Sequence, residues 1–333
     1  MKRALTALAC LALALGAHAQ TGLAAANPVV RLLSEGRADE AIRTAQDRIQ
    51  RTPQDAESYN LLGRVYFALG RWDKAVENSE IATRLAPNNS VYVMWLARSY
   101  GEKASNSSFM SAIGWAKKSR DAFERSVKLD PNNVAARSDL TEFYTEAPGF
   151  LGGGADKARA QILEIAKKDP TAAHKLTARI AEKDKDFPAA ERELREAIAV
   201  AGGDGSAWLE LASFFRRRER LPEMEDAIGK AVNAPKAGPV VLFESAEMLE
   251  RTGRNLSRAA ELLRQYFALI GPASGTAANG PGEEALPFRA HYLMGSILEK
   301  QGNKPSAARE YSSAVALASE YEPAQKALKR LSK

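Results

Sequence analysis

The chain has 333 residues, of which 45% are hydrophobic, 26% charged and 7% aromatic; that is enough apolar material for a sizeable core and excludes an intrinsically disordered chain. Glycine (23) and proline (15) stand near their average usage, so collagen-like and linker-dominated chains are excluded. A net charge of +6, from 47 Lys and Arg against 41 Asp and Glu, is too small an excess to point to nucleic acid as the partner.

At the start, Lys2 and Arg3 precede an apolar run from Ala4 to Gly16, and Ala17-His18-Ala19 then offers a small-x-small site before Gln20. This pattern predicts a secretory signal peptide over residues 1–19, too short to span a bilayer as a mature anchor. Its Ala- and Leu-rich core points to a bacterial exported protein, periplasmic or secreted. Cys10 lies inside the run, with Ala7 three residues before it and Leu11 to Leu15 after it, so it is not placed for lipidation. Cleavage after Ala19 removes the one cysteine, and with it any disulfide or thiolate chemistry. No later segment has 18 consecutive apolar residues, so no integral membrane segment is expected after cleavage.

Past the leader, the residues Tyr59, Leu62, Gly63, Tyr66, Gly70, Trp72, Ala75, Ala82 and Pro87 describe two helices and a turn. Leu62, Gly63 and Tyr66 share one helical face, Gly70 breaks the chain, and Ala75 and Ala82 let two helices approach closely. Gly36 and Gly70 stand 34 residues apart. The pattern resembles the tetratricopeptide repeat, a family of 34-residue helix-turn-helix units. It recurs with Leu96, Ala97 and Tyr100, then with Leu140 and Tyr144, Leu176 and Phe187, Trp208 and Ala212, Phe243 and Gly253, and finally Gly295, Gly302 and Tyr311. About eight units are expected, starting near residues 22, 56, 90, 134, 173, 205, 240 and 288. The units at 173 and 205 depart most, with Ile180 at the small position and Lys183 at the aromatic one in the former.

The resemblance implies an all-α fold, a right-handed α-solenoid whose inner wall is lined by the first helix of each unit. Residues 20–270 form the array in this reading, residues 271–287 a flexible link, and residues 288–333 a last unit with a capping helix from Glu322 to Lys333 carrying Leu328 and Leu331. Two stretches lengthen the period, near residues 102–112 and 147–154. Both are expected as loops on one edge, where Phe109, Met110, Phe150 and Leu151 would cluster, either tucking the loops down or forming a lip for a ligand or partner. Gly152 to Gly154 are not a phosphate loop, because no strand precedes them and the Lys-Ser/Thr ending is missing.

Inward positions in this family are the second, fifth, ninth and twelfth of a unit. Carried over, they are Glu57, Asn60, Arg64 and Phe67, then Val91, Met94, Arg98 and Gly101, then Ala135, Ser138, Glu142 and Thr145. Asn60, Arg64 and Arg98 resemble part of the clamp by which some members hold a peptide's terminal carboxylate, since Asn pins a backbone and Arg grips a carboxylate; the lysines that complete the clamp are missing. The groove contacts expected are Asn60, Arg64, Arg98, Glu142, Arg216 from the run Arg216-Arg217-Arg218, and Tyr292.

No catalytic residue, metal or cofactor is expected. His174, read as inward, and His291, read as scaffold, are far apart, and neither a His-Glu-x-x-His nor a Gly-x-Ser-x-Gly sequence occurs. Glu142 and Glu146 lie one helical turn apart, a spacing common on solvated faces. The expected function is a non-catalytic scaffold for a protein or peptide partner in the bacterial envelope. A module for cell-wall glycan or a small ligand, and a structural subunit of an envelope complex, are the alternatives.

Overall fold

The computed structural model describes residues 27–235, 237–270 and 285–332. The expected signal peptide and most of the expected link lie outside the described residues. Every regular element described is helical: α1 (Pro28–Ser34), α2 (Ala38–Arg51), α3 (Ala56–Ala68), α4 (Trp72–Leu85), α5 (Ser90–Ser105), α6 (Phe109–Leu129), α7 (Val134–Glu146), α8 (Ala155–Ala166), α9 (Pro170–Lys183), α10 (Phe187–Val200), α11 (Gly205–Arg217), α12 (Leu221–Val232), α13 (Pro239–Thr252), α14 (Leu256–Ile270), α15 (Pro287–Lys300), α16 (Lys304–Leu317) and α17 (Glu322–Leu331). None of the described helices is long and apolar enough to cross a membrane. The all-α stack of helical hairpins expected from the repeat is present.

The chain forms two compact units. The first holds residues 45–67 and 71–200; the second holds residues 68–70 and 201–333 together with the described start of the chain up to Thr44. In the first unit α5 pairs with α6, α7 with α8 and α9 with α10, while α6 packs on α7 and α8 on α9. In the second, α11 pairs with α12, α13 with α14 and α15 with α16, and α17 closes on α16.

Each hairpin follows from local chemistry. Asn89, Asn133, Asp169, Asp204 and Asn303 stand before helices, and their side chains accept backbone N–H groups from the first turn. Small residues hold paired helices close. A Cβ on Gly295 would fall 2.5 Å from the Tyr311 ring, which fills the space instead. Tyr311 is buried with Ala307 and Ala327, and Leu328 and Leu331 of α17 pack against that cluster. Tyr266 is fully buried, and its hydroxyl donates to the Ala285 carbonyl.

Several of the turns between the helices of a hairpin are made at a residue with positive φ. Gly36, Gly70 and Gly302 supply it, and Lys185 and Glu219 hold the same conformation, at φ 64° and 58°, in the turns before α10 and α12. Counted from this turn residue, the α9 unit starts at Thr171 rather than 173. Ala178, not Ile180, is its small residue, and it is buried.

Residues 102–112, expected as an inserted loop, instead lengthen two helices, and only Asn106 to Ser108 interrupt them. The Ser and Asn side chains there satisfy the end of α5. Asn106 Nδ2 donates to the Glu102 carbonyl at 2.9 Å and Ser107 Oγ to the Lys103 carbonyl at 2.6 Å. Residues 147–154 do form a loop, with a 3₁₀ turn over Gly149–Leu151. Arg120 Nη1 donates to the Leu151 carbonyl at 3.0 Å, and Gly154 N–H to that of Tyr144 at 2.8 Å. The expected four-residue apolar cluster does not form. Leu151 is fully buried, but Phe109, Met110 and Phe150 are exposed, Met110 by 78%.

Candidate functional site

The first helices of the first unit, α3, α5, α7 and α9, present a wall whose centre is polar. Asn60 and Arg64 lie one turn apart on α3, Trp95 and Arg98 on α5, and Ser138 and Glu142 on α7. The guanidinium carbons of Arg64 and Arg98 sit 4.9 and 4.7 Å from the centre of the Trp95 ring, within cation–π range. The other side of this group is closed by Phe67, whose ring meets Trp95 edge-on at 5.6 Å and Trp72 at 5.4 Å.

Arg98 does not stand ready to grip a partner's carboxylate. It is buried, and its Nε and Nη2 donate to Asp139 Oδ2 and Oδ1 at 2.7 and 3.3 Å. Burial pushes the Asp139 carboxyl above its usual range, and the Arg98 charge opposes that shift. The expected contact therefore becomes a structural ion pair tying α5 to α7. Arg64 remains half-buried on the same ring.

Several polar groups in this wall are enclosed. Asn60 Oδ1, Trp95 Nε1 and Ser138 Oγ are buried and make no hydrogen bond with the described residues. Lys175, at the position in α9 that corresponds to Asn60 in α3, has a buried side chain. Glu142 is half-buried at the rim beyond Asp139. Glu146, one turn further along, is paired with Lys183 at 3.1 Å.

Of the six residues expected to contact a partner, the first unit gathers four: Asn60, Arg64, Arg98 and Glu142. Arg216 and Tyr292 belong to the second unit, on helices that are not neighbours. Arg216 is half-buried at the end of α11, where nearby Arg220 bonds Glu223 at 2.8 Å and lies 4.4 Å from the Phe215 ring. Tyr292 packs on Tyr311 and Tyr321, each 5.6 Å away, and burial raises the pKa of its hydroxyl. It covers core as much as it presents a contact. Trp95 and Asp139 were not singled out in the sequence. Both directly follow an inward residue, Met94 and Ser138, and that adjacency is the one signal that pointed to them.

The two histidines occupy equivalent places. His174 Nδ1 meets Glu193 Oε2 at 2.8 Å and His291 Nδ1 meets Glu310 Oε2 at 2.7 Å, in each case across a hairpin and 19 residues along the chain. His174 is thus a scaffold residue like His291, not an inward one. Among the described residues no three His, Cys, Asp or Glu side chains come together as a metal site.

Two segments, residues 32–98 and 175–239, match family models described as tetratricopeptide repeat. No curated protein sequence matches the chain. Among solved structures, yeast Tom70 is similar over 99% of this chain and 68% of its own, at 14% identity and a TM-score of 0.54. A tetratricopeptide repeat protein from Parabacteroides merdae is similar over 84% of this chain and 100% of its own, at 16% identity and 0.42. A chain of the APC/C Cut9–Hcn1 hetero-tetramer is similar over 92% of this chain, at 13% identity and 0.41; this chain spans 54% of its length. At such identities the likeness is one of fold. Residues 32–98 and 175–239 are thus similar to tetratricopeptide repeats, and the other described hairpins stack in the same all-α fold.

Proposed function

We propose that the protein is a non-catalytic scaffold that holds a protein or peptide partner against the first-helix wall of its first unit. The enclosed polar centre of that wall carries the reading. A wall that only had to pack would bury apolar side chains, because an enclosed polar group without a partner costs about 1–3 kcal/mol. Asn60, Trp95 and Ser138 enclose such groups within one wall, beside the half-buried Arg64 guanidinium. A local shift of these side chains would open them to the carbonyl and amide groups of an extended peptide, and Arg64 favours an acidic residue alongside. A rigid wall also costs a bound segment little reorganisation of the scaffold.

A glycan platform fits less well, because the Trp95 ring is buried between Arg64, Arg98 and Phe67. Export to the bacterial periplasm is part of the proposal and rests on the signal-like sequence of residues 1–19; a purified N-terminus at Gln20 supports it, and an N-terminus at Met1 overturns it.

The binding reading is tested with the tagged protein as bait in envelope extract, comparing wild type with Arg64→Glu and with Glu77→Arg on α4. A protein partner lost with Arg64→Glu and retained with Glu77→Arg supports the wall. Retention of every partner by Arg64→Glu, or recovery of a glycan with no protein, overturns it.

A further inference from the structure

The first and last described hairpins meet within the second unit. Gly36, in the turn between α1 and α2, is buried with φ +76°, and a Cβ there would fall 2.6 Å from Pro287 Cβ at the start of α15. Both carboxylate oxygens of Asp39, in the first turn of α2, accept the backbone N–H of Ser319, at 3.0 and 3.1 Å across 280 residues of sequence. Arg289 Nη2 donates to the Ala68 carbonyl at 2.6 Å across 221 residues.

These contacts complete termini that local sequence leaves open. Helix ends carry backbone donors and acceptors without intrahelical partners. The residue before α17, Tyr321, makes no side-chain cap bond, and Asp39 supplies a carboxylate to the turn that leads into that helix. Ala68 ends α3, and Arg289 brings a cation to its C-terminal carbonyl, the favourable sign there. The absent side chain of Gly36 is what lets Pro287 seat.

We propose that the first hairpin is a clasp. Gly36 and Asp39 on one side, Pro287 and Ser319 on the other, lock the first described hairpin to the last, so that residues 28–44 and 287–331 open and close together. An array of stacked hairpins loses stability at its terminal units, which have a neighbour on one side only. Here each terminal segment serves as a neighbour of the other. The clasp is also releasable, because its polar contacts are few and Ser319 is exposed. A partner that engaged residues 36–39 would loosen α16 and α17 without touching them.

Amide hydrogen exchange on the full chain tests this. Asp39→Ala removes the acceptor, and Ser319→Pro removes the donor from the opposite side. Asp39→Ala is expected to speed exchange in residues 304–331 about tenfold, the effect of losing a charge-assisted bond, and Ser319→Pro to speed exchange in residues 28–44 likewise. Residues 90–129 serve as the control and stay unchanged in both. The proposal is overturned if each variant loosens only its own end, or if either variant loosens residues 90–129 as much as the ends.

Discussion

Lys185 and Glu219 hold a left-handed backbone where equivalent turns carry Gly36, Gly70 and Gly302. A side chain in that conformation costs about 1–2 kcal/mol, partly offset by the greater freedom of glycine in the unfolded chain. Lys185→Gly and Glu219→Gly are therefore each expected to stabilise by about 0.5–1 kcal/mol in denaturant melts; a lowered midpoint would contradict this. The same residue explains an error of register. Without a glycine at position 185, the α9 unit offered no turn marker, and its start was read two residues late. Gly295 makes the opposite case. Its place as a repeat position was legible in the sequence, and Gly295→Ala is expected to cost about 1–3 kcal/mol through overpacking against Tyr311, measured in the same melts. Asp139 was not legible at all, because Arg98 reads the same in sequence whether it faces solvent or a buried carboxylate. Asp139→Ala is expected to destabilise by about 3–5 kcal/mol, and the double change Arg98→Met with Asp139→Leu by much less, since the lone buried charge is the costly state. A double variant as unstable as the single one would contradict that.

At the scale of elements, composition misled where helix ends were concerned. Ser and Asn between residues 105 and 108 suggested a loop, but their side chains bond the last carbonyls of α5 and so finish a helix. In residues 147–154 the glycines were read correctly as a turn, while the apolar cluster expected beside them failed because only Leu151 reaches a buried place. The capping helix α17 is held in part by Arg330, whose Nε and Nη2 donate to the Glu299 carboxylate at 3.2 and 2.7 Å. Those bonds, with one from the Tyr311 hydroxyl, hold the Glu299 carboxyl below its ordinary value despite partial burial. A lowered carboxyl stabilises the folded form above the unfolded-state value, and the contribution fades as pH falls through the folded one. Acid is thus expected to loosen α17 as the pH drops below about 4. Arg330→Ala should remove much of that acid dependence. Hydrogen exchange of residues 322–331 across pH reads it, and an unchanged pH profile in the variant would contradict it.

At the scale of the whole molecule, the repeat pattern carried the fold class, since spacing of small, aromatic and turn residues is what hairpin stacking demands. The two compact units and the meeting of the first and last described hairpins were not readable, because contacts across 221 and 280 residues leave no periodic trace. The proposed function rests on one surface, the polar first-helix wall around Trp95. The most direct test is site-specific photocrosslinking in cells, with a benzophenone amino acid placed at Glu57 or Arg64 on the wall, or at Glu77 on the second helix of the same hairpin. The account predicts a discrete protein adduct from Glu57 and Arg64 and none from Glu77. Adducts from Glu77 alone would contradict it.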